Sequence, residues 1–150
     1  NPYLADKGDT MTYEEIKKID AVKTYISQAD ASLAALGYTE HSFAHVGKVA
    51  YDAKRILETL GYPKRDAELA QMAGYLHDIG NVVNRSDHSQ SGAIMAFRIL
   101  DRMGMDPAEI SDIVMAIGNH DEGTGRPISP MAAARSQAVT STLPYFSTAM

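Results

Sequence analysis

Apolar side chains recur at three- and four-residue intervals along most of this 150-residue chain. The clearest stripes are Phe43, Val46, Val49, Ala50, Ala53, Ile56, Leu57 and Leu60; Leu69, Met72, Ala73, Leu76 and Ile79; Ile94, Phe97, Leu100 and Met103; and Ile110, Ile113, Val114 and Ile117. Such spacing is typical of one buried helix face, and the alternation expected of strands is nearly absent. With 45% hydrophobic residues, the chain can close one core. We therefore predict an all-α fold, a single-domain bundle of five to six helices over residues 1–150.

Capping signals predict where these helices begin and end. Thr12 and Glu15 have the form of a capping box, which predicts a helix from about 13 to 35. Glycines are expected to end successive helices, and these are Gly37, Gly61, Gly80 and Gly104. Asp106-Pro107, with a returning Glu109, should begin a fifth helix, and Ser129-Pro130 a sixth. Residues 135–150 carry no stripe and are predicted to be an atypical tail, truncated or disordered.

Composition narrows the classes of ligand. The chain has no cysteine, which excludes disulfides and thiolate metal sites. Its net charge of -5 and pI near 5.4 argue against nucleic-acid binding, which needs clustered lysine and arginine. Neither an apolar run of about 18 residues nor a leader-like N-terminus is present, so we expect a soluble, cytoplasmic protein with a small-molecule ligand and no membrane association.

The five histidines, His41, His45, His77, His88 and His120, lie close to the apolar stripes. The spacing of His41 and His45 puts both on one helix face, and His45 should point inward. Taken singly, an inward histidine is more often a hydrogen-bonded core residue than a ligand. Asp78 changes the balance, because a buried carboxylate needs a cation or donors. A metal ion held by nitrogen and oxygen ligands would be Fe, Mn, Zn, Ni or Co, as one or two ions.

Four motifs follow one another along the chain: His45-Val-Gly-Lys-Val-Ala50, His77-Asp-Ile-Gly80, His88-Ser-Gln-Ser-Gly92 and Asn119-His-Asp-Glu-Gly-Thr-Gly125. In this order they resemble the HD superfamily of metal-dependent phosphohydrolases, in a histidine-rich form similar to its two-metal members. The resemblance runs from about residue 39 to 133. It implies an all-α bundle, in agreement with the helix pattern. It also implies hydrolysis of a phosphomonoester or phosphodiester of a small molecule or nucleotide by metal-activated water.

The resemblance implies a ligand set, which comprises His45, His77, Asp78, His88 and His120. Asp78 matches the carboxylate that bridges both ions in two-metal members, and His77 and Asp78 are the expected catalytic pair. His41 has no fixed family role; it is either a residue beside the substrate and the ligands or a simple helix-start histidine.

This chain departs from the family pattern in two places. Asn81 stands where the family usually has lysine, and the nearest cations for a substrate phosphate are Lys48, Arg85 and Arg126. Such a cation is more often a solvated surface charge than a phosphate ligand. The family's last ligand is an aspartate on a later helix, but no acidic residue follows Glu122. We interpret the C-terminus as truncated or altered, which leaves the activity of this chain open.

Two other functions remain compatible with the sequence. Di-iron oxygenases of the inositol-oxygenase type share the helical scaffold and the histidine and aspartate ligands. A metal-binding module without catalytic activity is the other alternative, and the missing C-terminal aspartate is its best support.

Overall fold

The computed structural model describes residues 10–38 and 43–121. Within these ranges it contains six α-helices, one short 3₁₀ helix and no strand. The α-helices are α1 (Tyr13–Lys17), α2 (Asp20–Ala35), α3 (Phe43–Thr59), α4 (Lys64–Leu76), α5 (His88–Arg102) and α6 (Pro107–Gly118). The 3₁₀ helix is Ile79–Val82, between α4 and α5. The all-α prediction is therefore confirmed, whereas the assignment of residues 1–150 to one domain stays a prediction.

The first predicted helix begins where expected but is not continuous. The hydroxyl of Thr12 accepts a hydrogen bond from the Glu15 amide at 3.2 Å, and the Glu15 carboxylate accepts one from the Thr12 amide at 3.0 Å. The prediction of one helix over 13–35 is wrong, because Ile19 adopts an extended conformation and divides it into α1 and α2. The break lets α1 pack against α4 while α2 packs against the 3₁₀ helix.

Three of the four predicted glycine stops are confirmed. Gly37, Gly61 and Gly104 follow α2, α3 and α5 with φ angles of +92°, +83° and +77°, which L side chains rarely adopt. The prediction that Gly80 ends its helix is wrong. Helix α4 ends earlier, at Leu76, and the chain continues through His77 and Asp78 into the 3₁₀ helix.

The start of α6 is confirmed in part. The Asp106 carboxylate accepts a hydrogen bond from the Ala108 amide at 3.2 Å, with Pro107 in the first turn. Glu109 was expected to return to this cap, but it instead accepts two hydrogen bonds from Arg65, at 2.6 and 2.9 Å. Arg65 also donates to the carbonyl of Met11 at 2.8 Å, so one guanidinium joins α4, α6 and the segment before α1.

The close approach of α3 and α4 brings the motif that begins at His45 near the motif that begins at His77. A methyl group built on Gly74 in α4 would lie 3.0 Å from the Cα of Ala50 in α3, so the two backbones nearly touch. His45 lies in the first turn of α3 and His77 directly follows α4. Packing at Gly74 therefore sets the distance between these two histidines.

Several predictions fall outside the described residues. They concern His41, Arg126, the sixth helix at Ser129-Pro130 and the tail 135–150. In the ranges 10–38 and 43–121, no helix has the length and apolarity required to cross a membrane.

Candidate metal centre

The His77-Asp78 pair lies at the end of α4, not within a helix. His77 is the C-cap residue of α4 and is fully buried, and Asp78 is the N-cap residue of the 3₁₀ helix. The prediction that a single helix presents both side chains is therefore wrong. The reason is that the chain leaves helical geometry at Asp78, where φ is -102° and ψ is 2°.

The carboxylate of Asp78 lies between two pairs of histidines. Its Oδ2 atom lies 3.0 Å from His77 Nε2 and 3.9 Å from His45 Nε2. Its Oδ1 atom lies 3.4 Å from His88 Nε2 and 4.0 Å from His120 Nε2. Each oxygen therefore faces its own pair, and each set of three ligand atoms lies within 4.8 Å.

Backbone carbonyls orient three of these imidazoles. The Nδ1 atoms of His77, His88 and His120 lie 2.6, 3.2 and 2.5 Å from the carbonyls of Gly74, Arg85 and Ile117. A carbonyl can only accept, so each Nδ1 carries the proton and, in the neutral ring, Nε2 carries the lone pair. Histidines that bind metals through Nε2 commonly donate from Nδ1 in this way.

The resulting arrangement puts electron pairs close together. His88 Nε2 and His120 Nε2 are 3.1 Å apart, although neither neutral ring has a proton to place between them. The Nε2 of His77 faces the Asp78 carboxylate at 3.0 Å. A positive charge is required to make both contacts favourable. The donor set, four imidazoles around one carboxylate, fits one or two divalent transition-metal ions.

The pKa values of the metal-free protein reflect the same need. Burial by itself lowers the pKa of His77, but the Asp78 carboxylate outweighs it and holds that pKa above its usual range. Burial and then the neighbouring His77 lower the pKa of His120 to about 4, so its ring is neutral and suited to bind a cation at neutral pH.

The predicted ligand residues are therefore brought together, whereas the predicted substrate residues differ. Lys48 is largely exposed, and its ammonium lies 2.6 Å from the carboxylate of Asp52 on the same helix. Arg85 belongs to the segment that joins the 3₁₀ helix to α5, and its carbonyl lies 3.2 Å from Nδ1 of the predicted ligand His88. The roles of all these side chains stay predictions.

Asn81 is the functional candidate that the sequence argument missed. Its amide nitrogen donates to the Asp78 carbonyl at 2.9 Å and lies 3.4 Å from Asp78 Oδ1. Its amide oxygen accepts from Arg85 at 3.2 Å, and the Arg85 guanidinium lies over the ring of Tyr38, 5.2 Å from its centroid. The sequence signal for Asn81 was a side chain with both a donor and an acceptor directly after His-Asp-x-Gly, but only the absence of lysine was considered there.

A recess borders the metal centre on the side of α2 and α3. Asp78 forms part of its wall, and most of the remaining wall is apolar, including Ile26, Leu33 and Val46. The Asp78 side chain is 12% exposed, whereas that of His77 is not exposed at all. The Asp78 carboxylate and the His45 ring, which is 10% exposed, are therefore the most accessible parts of the cluster.

Comparison with known proteins agrees with this geometry. The family model for the HD domain matches residues 42–139. An uncharacterized protein of Methanocaldococcus jannaschii is 29% identical over 109 residues, which is 62% of this chain and 42% of that protein. This chain thus spans less than half of that relative.

The crystal structure of a predicted HD superfamily hydrolase from an uncultured Thermotogales bacterium has the same fold. Its TM-score is 0.58 at 22% identity, over 84% of this chain and 70% of that one.

Proposed function

This chain belongs to the HD domain family, and we propose that it is a metal-dependent phosphohydrolase acting on a small-molecule or nucleotide phosphoester. The observation that carries the proposal is the Asp78 carboxylate, whose two oxygens face two separate pairs of imidazoles. Residues His45 and His77 would hold one ion with Asp78, and His88 and His120 would hold the second.

The chain's own residues prepare this site for cations. Backbone carbonyls accept hydrogen bonds from the rings of His77, His88 and His120 and fix their orientations. These side chains therefore lose little conformational freedom when an ion binds. When bound, divalent transition-metal ions would supply Lewis acidity for water and phosphoryl oxygens. His77 and Asp78 serve catalysis in this proposal as ligands to that group.

The cation that best fits a substrate phosphate is Arg85. Asn81 and the ring of Tyr38 restrain its guanidinium near Asp78, and a planar guanidinium binds phosphate with two parallel hydrogen bonds. Lys48 is the weaker candidate, because its ammonium already pairs with Asp52.

Metal binding is tested first, by titrating untagged metal-free protein with Mn²⁺ or Co²⁺. We expect two ions per chain for the parent, loss of both for Asp78→Asn, and loss of one each for His45→Gln and His88→Gln. Asp101→Asn is the matched control, because it lies 13 residues beyond His88 on α5, about 20 Å along the helix. A parent that binds no metal would refute the proposal.

Activity is tested with p-nitrophenyl phosphate and bis(p-nitrophenyl) phosphate on protein loaded with Mn²⁺, Fe²⁺ or Zn²⁺. Release of p-nitrophenol that requires metal and Asp78 would support a phosphohydrolase. A metal-loaded protein inert toward both esters would instead support the binding module, and oxygen consumption by an iron-loaded protein would support the oxygenase.

A further inference from the structure

We propose that Asn81 is a positioning residue that couples the metal-binding carboxylate to the anion-binding guanidinium. The inference rests on the proposed function, since it assigns Asp78 to the metal and Arg85 to the substrate phosphate. Asn81 is 2% exposed and uses both ends of its amide, one toward each of these residues.

The nitrogen end of the amide acts on Asp78. It donates to the backbone carbonyl at 2.9 Å, which fixes the Asn81 side chain against the residue it serves. The same nitrogen lies 3.4 Å from Oδ1, the carboxylate oxygen that faces His88 and His120. This contact favours the carboxylate rotation in which each oxygen faces its own histidine pair.

The oxygen end of the amide acts on Arg85. It accepts a hydrogen bond from the guanidinium at 3.2 Å, while the ring of Tyr38 packs on the guanidinium face. The backbone of Arg85 contributes as well, because its carbonyl lies 3.2 Å from Nδ1 of His88. Asn81 therefore lies at the centre of a chain of contacts from Asp78 through Arg85 to His88.

A lysine at this position could not do both tasks. An ammonium donates only, so it would bind the carboxylate but offer no acceptor to Arg85. An amide offers a donor and an acceptor on opposite sides. In this proposal the positive charge that binds phosphate is therefore supplied by Arg85, four residues after Asn81, and the buried Asn81 amide holds the guanidinium in place.

The experiment combines Co²⁺ absorption spectra with the affinity of Co²⁺-saturated protein for inorganic phosphate. The variants are Asn81→Leu, which keeps the approximate size, Arg85→Met and the double variant. We expect phosphate affinity to fall about tenfold in each single variant, as for loss of one charge-assisted contact. The double variant should be no weaker, because the two residues act as a unit.

The spectra separate positioning from bulk stability. Asn81→Leu should change the Co²⁺ spectrum, because Asp78 loses its restraint, whereas Arg85→Met should keep the parental spectrum. Val83→Ala is the matched control, since Val83 is 65% exposed in the same segment, and it should leave spectrum and phosphate affinity unchanged. Additive losses in the double variant, or a parental spectrum for Asn81→Leu, would overturn the proposal.

Asn81→Asp covers the case in which the leucine variant does not fold. It places a second carboxylate beside Asp78 and pairs the Arg85 guanidinium with a negative charge, so the Co²⁺ spectrum should change and phosphate affinity should fall. A parental spectrum would overturn the inference. A parent that binds no Co²⁺ refutes the proposed function itself, whereas a metal-binding parent with parental variants refutes only the role of Asn81.

Discussion

Replacing Gly80 by alanine tests whether close backbone contact positions the metal centre. A Cβ atom at this residue would lie 1.9 Å from the carbonyl oxygen of His88 and 2.5 Å from the amide of Gly92. Ordinary contact begins at 3.4 Å, so the first contact alone is short by 3.4 - 1.9 = 1.5 Å. Both atoms are backbone, and the start of α5 must therefore shift.

We expect Gly80→Ala to lower the free energy of unfolding by about 3 kcal/mol or more, the upper range for an overpacked site. For a chain of this length that corresponds to a fall of roughly 6–12 °C in the melting temperature. Because His88 begins α5, the metal site of His88 and His120 should weaken more than that of His45 and His77.

The measurement is urea unfolding of metal-free protein together with Co²⁺ titration. Gly47→Ala is the matched control, because it lies within α3 and a Cβ there meets no atom within 4 Å. It should stabilise the protein by about 0.5–1 kcal/mol through helix propensity. Parental stability and parental metal affinity in Gly80→Ala would refute the argument.

Two further outcomes follow from contacts elsewhere in the fold. Arg65→Lys should lower the free energy of unfolding, measured in urea, by about 1–2 kcal/mol, because lysine cannot reproduce the paired hydrogen bonds to Glu109. The control Lys54→Met removes an exposed ion pair and should change the free energy of unfolding by less than about 0.5 kcal/mol. Equal effects of the two substitutions would contradict the prediction. Co²⁺ at a hundred times its dissociation constant should raise the free energy of unfolding by about 2.7 kcal/mol for one site, measured by thermal unfolding, and a comparable rise in Asp78→Asn would show that the ion binds elsewhere.

The helices were largely predictable because their signals are local. Apolar spacing identified α3, and Gly61 and Gly104 marked where α3 and α5 end. The predicted buried stripe of α5 is wrong, because Ile94, Phe97 and Met103 are 67%, 48% and 49% exposed and only Leu100 of that stripe is buried. The helix instead buries small residues such as Ala93 and Ala96, since Gly92 packs closely against Gly80.

The break at Ile19 was not predictable, because the apolar pattern continues through it and only packing against two different elements separates α1 from α2. The prediction that Glu109 returns to the cap of α6 was wrong for a similar reason, since its actual partner, Arg65, is distant in sequence.

The composition of the candidate site was more predictable than its geometry. Histidines and an aspartate near apolar stripes, together with the motif resemblance, indicated which side chains meet, and the structure brings His45, His77, Asp78, His88 and His120 together. That each oxygen of Asp78 faces one histidine pair depends on the turn after α4, which the sequence misassigned as helix. The role of Asn81 could not be predicted, because its contacts with Asp78 and Arg85 depend on the 3₁₀ helix, for which the sequence carries no signal.

The metal centre conflicts with the local rules that shape the rest of the core, and the conflict indicates its purpose. A core selected only for stability would not direct the lone pairs of His88 and His120 toward each other at 3.1 Å. The fold enforces this contact through carbonyls behind both rings and through the close approach at Gly80. The free energy lost in the metal-free protein is regained when a cation binds, so ion binding and the packing of α5 and α6 should be coupled in both directions.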